Sequence, residues 1–297
     1  MIVNLGTVGL DTTETPFKSV SKLVGGSGTY SSIAASFFAE SGLIGIVGDD
    51  FPEEYMNIFR DRLDLAGLVV EKGKSFHYVS SFGFDLGART SIATELNVFG
   101  GWDPVVPEEY KDAEFLYLGN VGPQQQLSVL DQVDGPRLTI ADTIEYWINT
   151  DREGLIEVIS RVDGMVLNDN EVRQLCQAPN IITGAKEILD WGPRFIVVKK
   201  GEHGAILFTR EKIFPTCGYP LEKITDPTGA GDCFAGGFMG HLARSGSLDE
   251  SVMREAVVYG NVMGSFAVEE FSIERFLPLT IEDIEGRYNL YKSMVSF

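Results

Sequence analysis

Near its C-terminal end the chain reads Asp226-Pro227-Thr228-Gly229-Ala230-Gly231-Asp232, then Cys233-Phe234-Ala235-Gly236-Gly237-Phe238-Met239-Gly240. A small-residue turn between two acids opens into an apolar helix. Pro227 requires Asp226 to be extended. Gly229, Ala230 and Gly231 leave amide groups bare at a helix start, where orphan donors and the positive end of the dipole attract anions. Asp232 stands at the edge of that anion site. A carboxylate base beside an amide cradle suits phosphoryl transfer to a hydroxyl, a chemistry of positioning and charge stabilisation. A plain helix start with a dipole-favoured Asp accounts for the turn alone. It does not account for Gly236, Gly237 and Gly240, each of which costs about 1 kcal/mol relative to Ala in a helix interior. Their presence predicts a close approach to the backbone, by a nucleotide or a tightly packed strand.

Further stretches carry chemistry of their own. Val24-Gly25-Gly26-Ser27-Gly28-Thr29-Tyr30 precedes a helix rich in small residues. A glycine pair there allows a positive φ, suited to a hinge, a close substrate approach or an ordinary turn. Asp11 lies in a Thr-rich stretch after the first strand, where a carboxylate either shapes a turn or accepts hydrogen bonds from neighbouring hydroxyls. Asn97 and Asn120 are further acceptor candidates. Asn168-Asp169-Asn170-Glu171 follows a strand ending at Leu167. Its acids either occupy the first turn of a helix or help hold magnesium, which keeps several waters and needs few carboxylates. Lys199-Lys200-Gly201 closes a Val-rich strand.

Other patterns are set aside. Gly67 to Ser75 nearly spells a phosphate-binding loop, but five residues separate the glycines where four are required, and Leu68-Val69-Val70 reads as strand. Gly25-Gly26-Ser27-Gly28-Thr29 fails as a nucleophile elbow because Thr29 takes the final glycine position. Asp49-Asp50 resembles a catalytic pair but is expected to cap a helix starting near Pro52.

The elements that must position these residues alternate. Candidate strands are Met1–Gly6, Leu43–Gly48, Glu114–Gly119, Arg137–Ala141, Gly164–Leu167, Phe195–Lys199 and Ala205–Phe208. Helical patterns lie between them. Phe51–Ala66 has Pro52 in its first turn and Gly67 as its stop. Ser247-Leu248-Asp249-Glu250 reads as a capping box before a helix running to about Ala267. The alternation implies βαβ units and a mostly parallel sheet covered on both faces. From Lys74 to about Trp102 the pattern turns short, polar and β-branched, an antiparallel meander with which Asp11–Lys18 is expected to pair. The domains are therefore drawn as 1–10, 21–73 and 103–297 for an α/β domain, and 11–20 with 74–102 for a small inserted β-lid.

Composition bounds the rest. With 297 residues, 44% apolar and 23% charged, the chain is an ordinary globular enzyme in make-up. A net charge of −19 argues against nucleic acid or an anionic membrane as partner. Cys176, Cys217 and Cys233 show no disulfide or metal spacing, and Met1-Ile2-Val3-Asn4 shows no secretory leader, which points to the cytoplasm. No apolar run approaches the roughly 20 residues of a membrane span. His77, His203 and His241 lack metal-ligand spacing.

Asp226 to Gly237 resembles the C-terminal signature of the ribokinase-like (PfkB) carbohydrate kinases, and the resemblance covers nearly the whole chain. Pro227 stands where that family usually has Thr, as in some of its nucleoside kinases. The resemblance implies a three-layer α/β/α sandwich that binds the nucleotide, with a β-lid that covers the acceptor. It implies Asp232 as catalytic base and the amides of Gly229, Ala230 and Gly231 as anion hole. Gly25 and Gly26 would touch the acceptor and flex as the lid closes, with Tyr30 in place of a usual Asn. Asp11 would bind acceptor hydroxyls. Asn168 and Glu171 would match the Asn-x-x-Glu motif that organises magnesium, usually through water. Lys199, Gly201 and Thr228 would lie near ATP, Asn261 in the adenine pocket, and Asp226 against a monovalent cation such as potassium. The implied activity is an ATP- and magnesium-dependent kinase. The acceptor is by default a sugar. A nucleoside is the alternative, because Phe82, Phe84 and Tyr30 offer rings to stack a base. A phosphorylated sugar follows if Arg89 points inward. A catalytically silent binding protein on the same fold is the rival, disfavoured because Asp232 and Glu171 are both present. A dinucleotide oxidoreductase lacks its glycine fingerprint. An exposed lid edge would suit a homodimer.

Overall fold

The computed structural model describes residues 1–87 and 89–296. In chain order its strands are β1 (Ile2–Leu5), β2 (Gly9–Glu14), β3 (Ser19–Gly25), β4 (Ser41–Gly48), β5 (Leu68–Glu71), β6 (Phe76–Phe82), β7 (Arg89–Glu95), β8 (Phe115–Leu118), β9 (Leu138–Ala141), β10 (Gly164–Asn168), β11 (Phe195–Lys199), β12 (Ala205–Thr209) and β13 (Ile213–Thr216). They form a nine-stranded sheet ordered β13-β12-β11-β10-β9-β8-β1-β4-β5 and a four-stranded sheet ordered β3-β2-β6-β7. The large sheet is parallel from β5 through β11, and β12 and β13 add to it antiparallel.

The parallel strands are buried on both faces and sort their side chains by alternation. Val3, Leu5, Leu116, Leu118, Met165 and Leu167 enter one core with the helices Pro123–Leu130, Arg152–Arg161 and Ile181–Asp190. Ile2, Phe115, Tyr117, Val166 and Val197 enter the opposite core with Phe234, Phe238 and Met239 of the Ala230–Ser245 helix. The result is the expected α/β/α sandwich. β1 has β4 on one side and β8 on the other. The chain therefore reverses direction across the sheet at β1, and in such sheets ligands bind at the carboxyl ends beside that reversal.

The helix glycines are explained differently from the expectation. A Cβ at Gly236 would lie 2.3 Å from the Ser31 carbonyl oxygen, and one at Gly237 would lie 2.5 Å from Met263 Cγ. Neighbouring helices, Ser27–Ser36 and Glu250–Ala267, make the close approach. Neither a nucleotide nor a strand does so.

The small sheet also takes in Gly9, Leu10 and all of Ser19–Gly25, so the lid extends past the 11–20 segment drawn for it. β2 pairs with β6 in parallel, and the other pairs are antiparallel. The helix predicted over Phe51–Ala66 spans only Glu53–Arg62. It ends early because Asp64 joins the large sheet, donating to the Ser41 carbonyl at 2.9 Å, while Tyr110 OH donates to its carboxylate at 2.6 Å. The capping box at Ser247 is instead a turn. Ser247 Oγ accepts from the Asp249 amide at 3.0 Å, and Asp249 is the N-cap. Asp49 and Asp50 do not cap the next helix either. They accept from the Gly73 and Ser75 amides and tie β4 to the start of the lid. Leu68–Glu71 is a strand, in keeping with rejection of a phosphate loop. Among the described residues no helix is long and apolar enough to cross a membrane.

Candidate active site

The Asp226–Asp232 turn lies at the carboxyl end of the sheet. Asp226 is buried, and its carboxylate accepts from the Thr228 amide at 2.9 Å, bending the chain into the helix. Gly229 has φ +75, and a Cβ there would strike the Tyr30 ring at 2.4 Å. Tyr30 is thus the floor of the turn, buried at 2% exposure. That position removes it from the rings expected to stack a base. Gly229 is the N-cap of the Ala230–Ser245 helix and supplies no side-chain cap. The Ala230 amide turns back to the Pro227 carbonyl at 3.2 Å, while the Gly229 and Gly231 amides have no acceptor among the described residues and stay available to an anion. Thr228 Oγ1 is buried beside them with no hydrogen-bond partner among the described residues.

Asp232, in the first turn of this helix, is half-buried. Burial and the nearby Asp142 push its carboxyl up to about 7, against the opposing charges of Lys199 and Arg89. Asp11 is buried on β2 and is also pushed up to about 7, by burial first. Arg89 and the Gly26 amide act downward on it, and Asp226 and Asp232 act upward. Its Oδ1 has no hydrogen-bond partner among the described residues. Asp11 therefore lies near both Asp226 and Asp232. Gly25 makes room for Asp11, since a Cβ would fall 1.9 Å from Asp11 Oδ2. Gly26 takes φ +97 tight against the Thr7 carbonyl.

Asn168 and Glu171 form a capping box at the start of the Asp169–Cys176 helix. Asn168 Oδ1 accepts from the Glu171 amide at 2.8 Å, and Glu171 Oε2 accepts from the Asn168 amide at 2.7 Å. Burial and Asp142 push Glu171 up to about 8, while Lys199 pulls the other way. Lys199, at the end of β11, donates to Asp142 Oδ2 at 2.7 Å. Burial lowers its pKa, but Asp142, Glu171 and Asp232 outweigh that and hold the ammonium charged. A Cβ at Gly231 would lie 3.1 Å from Lys199 Nζ, so the lysine adjoins the helix start at Gly231.

The other expected residues lie further out. Gly201 is exposed at φ +55 where a short 3-10 turn begins. Asn261 is buried and donates to Thr216 Oγ1 at 2.8 Å and to the Cys217 carbonyl at 3.3 Å, tying its helix to the end of β13. The Asn120 carbonyl accepts from Ser27 Oγ, and its Oδ1 accepts from Trp147 Nε1 at 3.2 Å. Asn97 stands apart. It is exposed at φ +49, with its amide committed to the Ser75 carbonyl at 2.9 Å. Phe84 and Phe17 are exposed at 83% and 64% and face each other, their ring centroids 6.0 Å apart.

The family profile described as pfkB family carbohydrate kinase matches residues 102–278. The chain belongs to that family. A cytidine kinase of Thermococcus kodakarensis is 30% identical over 260 residues, covering 84% of this chain and 91% of its own. Among solved structures, a Salmonella enterica aminoimidazole riboside kinase, complexed with its riboside and an ATP analogue, superposes with TM-score 0.77 at 20% identity. It covers 97% of this chain and 100% of its own. A Burkholderia thailandensis nucleoside kinase with inosine superposes with TM-score 0.76 at 18% identity, covering 98% and 97%. The chain is thus a phosphotransferase with an alcohol group as acceptor, and kinases of this family use ATP with magnesium.

Groups in this pfkB kinase that the sequence reading passed over are Asp142, Tyr117 and Tyr78. Asp142 follows β9 directly, at the carboxyl end of a parallel strand, where ligand-facing groups belong. That position was the available signal. Tyr78 lies opposite Asp11 in the β2–β6 register, and the Arg89 guanidinium carbon stands 5.3 Å from its ring centre. Arg89 is exposed on β7, and its charge acts on Asp11, Glu171 and Asp232.

Proposed function

We propose that this protein is a nucleoside kinase that transfers the γ-phosphoryl group of ATP to a hydroxyl of the nucleoside's sugar. One observation carries the chemistry: Asp11, buried with its Oδ1 unpartnered among the described residues, lies near Asp232 and the start of the Ala230–Ser245 helix, where the Gly229 and Gly231 amides have no acceptor among the described residues. In this reading Asp11 accepts hydrogen bonds from neighbouring sugar hydroxyls and turns the reacting one towards Asp232. Asp232 takes its proton as the bond to phosphorus forms. The amides meet the charge on the transferred group. Magnesium, when bound, neutralises charge on the triphosphate. Glu171, a buried oxygen donor next to Asp142 and Lys199, is the residue suited to hold it through water. Thr228, Lys199, Gly201 and Asn261 line the nucleotide side, and Gly25, Gly26 and Asn120 the acceptor side.

A nucleoside is favoured over a free sugar by the extent of similarity to the cytidine kinase and by Tyr78, which shares the Asp11 face of the lid. Asp226 suits a monovalent cation such as potassium. The exposed edge strand β7, with Ile92 54% exposed, suits a homodimer joined through the lids. Three free thiols suit the cytoplasm. The test is ATP consumption with magnesium across nucleosides, free sugars and sugar phosphates, with Asp232→Asn in parallel. Turnover on nucleosides that vanishes in the variant is the expected result. Turnover confined to a free sugar or a sugar phosphate overturns the acceptor assignment.

A further inference from the structure

Asp142 has no place in the roles above, yet it lies at the centre of the charged groups. It is 4% exposed, and both of its oxygens are occupied. Oδ2 accepts from Lys199 Nζ at 2.7 Å and from Tyr117 OH at 3.2 Å, and Oδ1 accepts from the Thr143 amide at 2.8 Å. These partners come from β11, β8 and the chain just after β9, so the sheet itself fixes the carboxylate. Burying an Asp–Lys pair is poor value for stability, because desolvation offsets the attraction. Its place therefore calls for another reason.

Lys199 supplies one. An ammonium carries three N–H donors, and Asp142 is its only hydrogen-bond acceptor among the described residues. The spare donors stand beside Gly231, where a Cβ would be 3.1 Å from Nζ. A held ammonium with unused donors beside Gly231, whose amide has no acceptor among the described residues, is built to receive an anion.

We propose that Asp142 is a positioning residue, clamped by Tyr117, that holds the Lys199 ammonium at the Gly229–Gly231 amides so that it shares the negative charge of the transferred phosphoryl group. The inference rests on the kinase reading of the site but not on which acceptor is used. No covalent step passes through either residue.

The test compares Asp142→Asn, Lys199→Met, the double variant and Tyr117→Phe, each checked for folding by thermal melting. Lys199→Met is expected to lower kcat roughly 100-fold, the scale of losing one charge-stabilising donor. Asp142→Asn should lower it roughly tenfold, with acceptor KM little changed. The double variant should be no worse than Lys199→Met, because Asp142 acts through the lysine. The acid limb of the pH profile should move in opposite directions. Asp232 is faced by Asp142, Lys199, Arg89, Asp11, Tyr30, Tyr117 and the neighbouring Cys233. Removing the Asp142 charge should shift that limb to lower pH, and removing the Lys199 charge should shift it to higher pH. A merely structural role would move neither. If Asp142→Asn fails to fold, Tyr117→Phe keeps the ion pair and should still give a kcat loss of roughly threefold. Multiplying losses in the double variant, an unmoved acid limb, or a change confined to acceptor KM overturns the proposal. Wild-type protein that phosphorylates no nucleoside defeats the nucleoside reading instead. Binding of a non-hydrolysable ATP analogue relative to ADP then decides: the preference for the analogue should collapse in Lys199→Met and Asp142→Asn, and its persistence overturns the proposal.

Discussion

Asp232 is the residue on which the chemistry turns, and its environment dictates how it responds to pH. Burial and Asp142 raise its carboxyl to about 7, so below that value it holds a proton and is unable to accept one from the acceptor. The acid limb of kcat/KM, which reports the free enzyme, is expected near pH 7 rather than near the ordinary Asp value of 3.8. A profile flat down to pH 5 would remove Asp232 from the role. Asp232→Asn should cost roughly 10²–10⁴-fold in kcat, the range of general-base catalysis, in a protein that still melts cooperatively. The helix start that carries this residue was legible because its glycines, proline and acids are contiguous, and local rules govern a turn. Asp142 and Tyr117 were not. They meet only because β8 and β9 pair in parallel, with Tyr117 opposite Ile140, and no local pattern announces a partner 25 residues away.

At the scale of elements, the lid supplies the acceptor's side of the cleft, and its fit is set by small residues. A methyl group on Gly25 would overlap the Asp11 carboxylate, so Gly25→Ala should raise acceptor KM by roughly tenfold or more while ATP KM changes little. Equal effects on both substrates, measured by varying each at saturation of the other, would show general damage instead. Arg89, on β7, lowers the pKa of Asp232, so Arg89→Ala should move the acid limb of activity to higher pH and weaken lid closure. An unmoved limb would place Arg89 outside the closed site. The alternation of strands and helices was readable because buried parallel strands are continuous apolar runs. Strand β3, with the polar sequence Ser-Val-Ser-Lys-Leu-Val-Gly, carried no such signal and was divided between two domains. The early end of the Glu53–Arg62 helix was hidden for a different reason: Asp64 leaves the helix for contacts with Ser41 and Tyr110 that exist only in the fold.

For the molecule as a whole, gathering carboxylates into one cleft should be visible as a pH-dependent stability. Asp11, Glu171 and Asp232 have ordinary values of 3.8, 4.5 and 3.8 but are raised to about 7, 8 and 7 in the folded chain. The folded state then binds more protons than the unfolded state between those limits, so stability falls as pH rises. The contribution is complete below about pH 4 and lost as pH passes through about 7 to 8. The net charge of −19 does not produce this slope, because ordinary carboxylates are ionised by about pH 5 and the chain has only three histidines. The melting temperature of the ligand-free protein is therefore expected to decline between about pH 5 and 8. Asp232→Asn, which cannot titrate, should reduce that decline, and the triple variant Asp11→Asn, Glu171→Gln, Asp232→Asn should nearly abolish it. A wild-type melting temperature that rises across the window would mean that these acids are already ionised in the empty cleft. The acid limb of activity would then need another source, so one pH series on three proteins tests the electrostatics of the site independently of any acceptor.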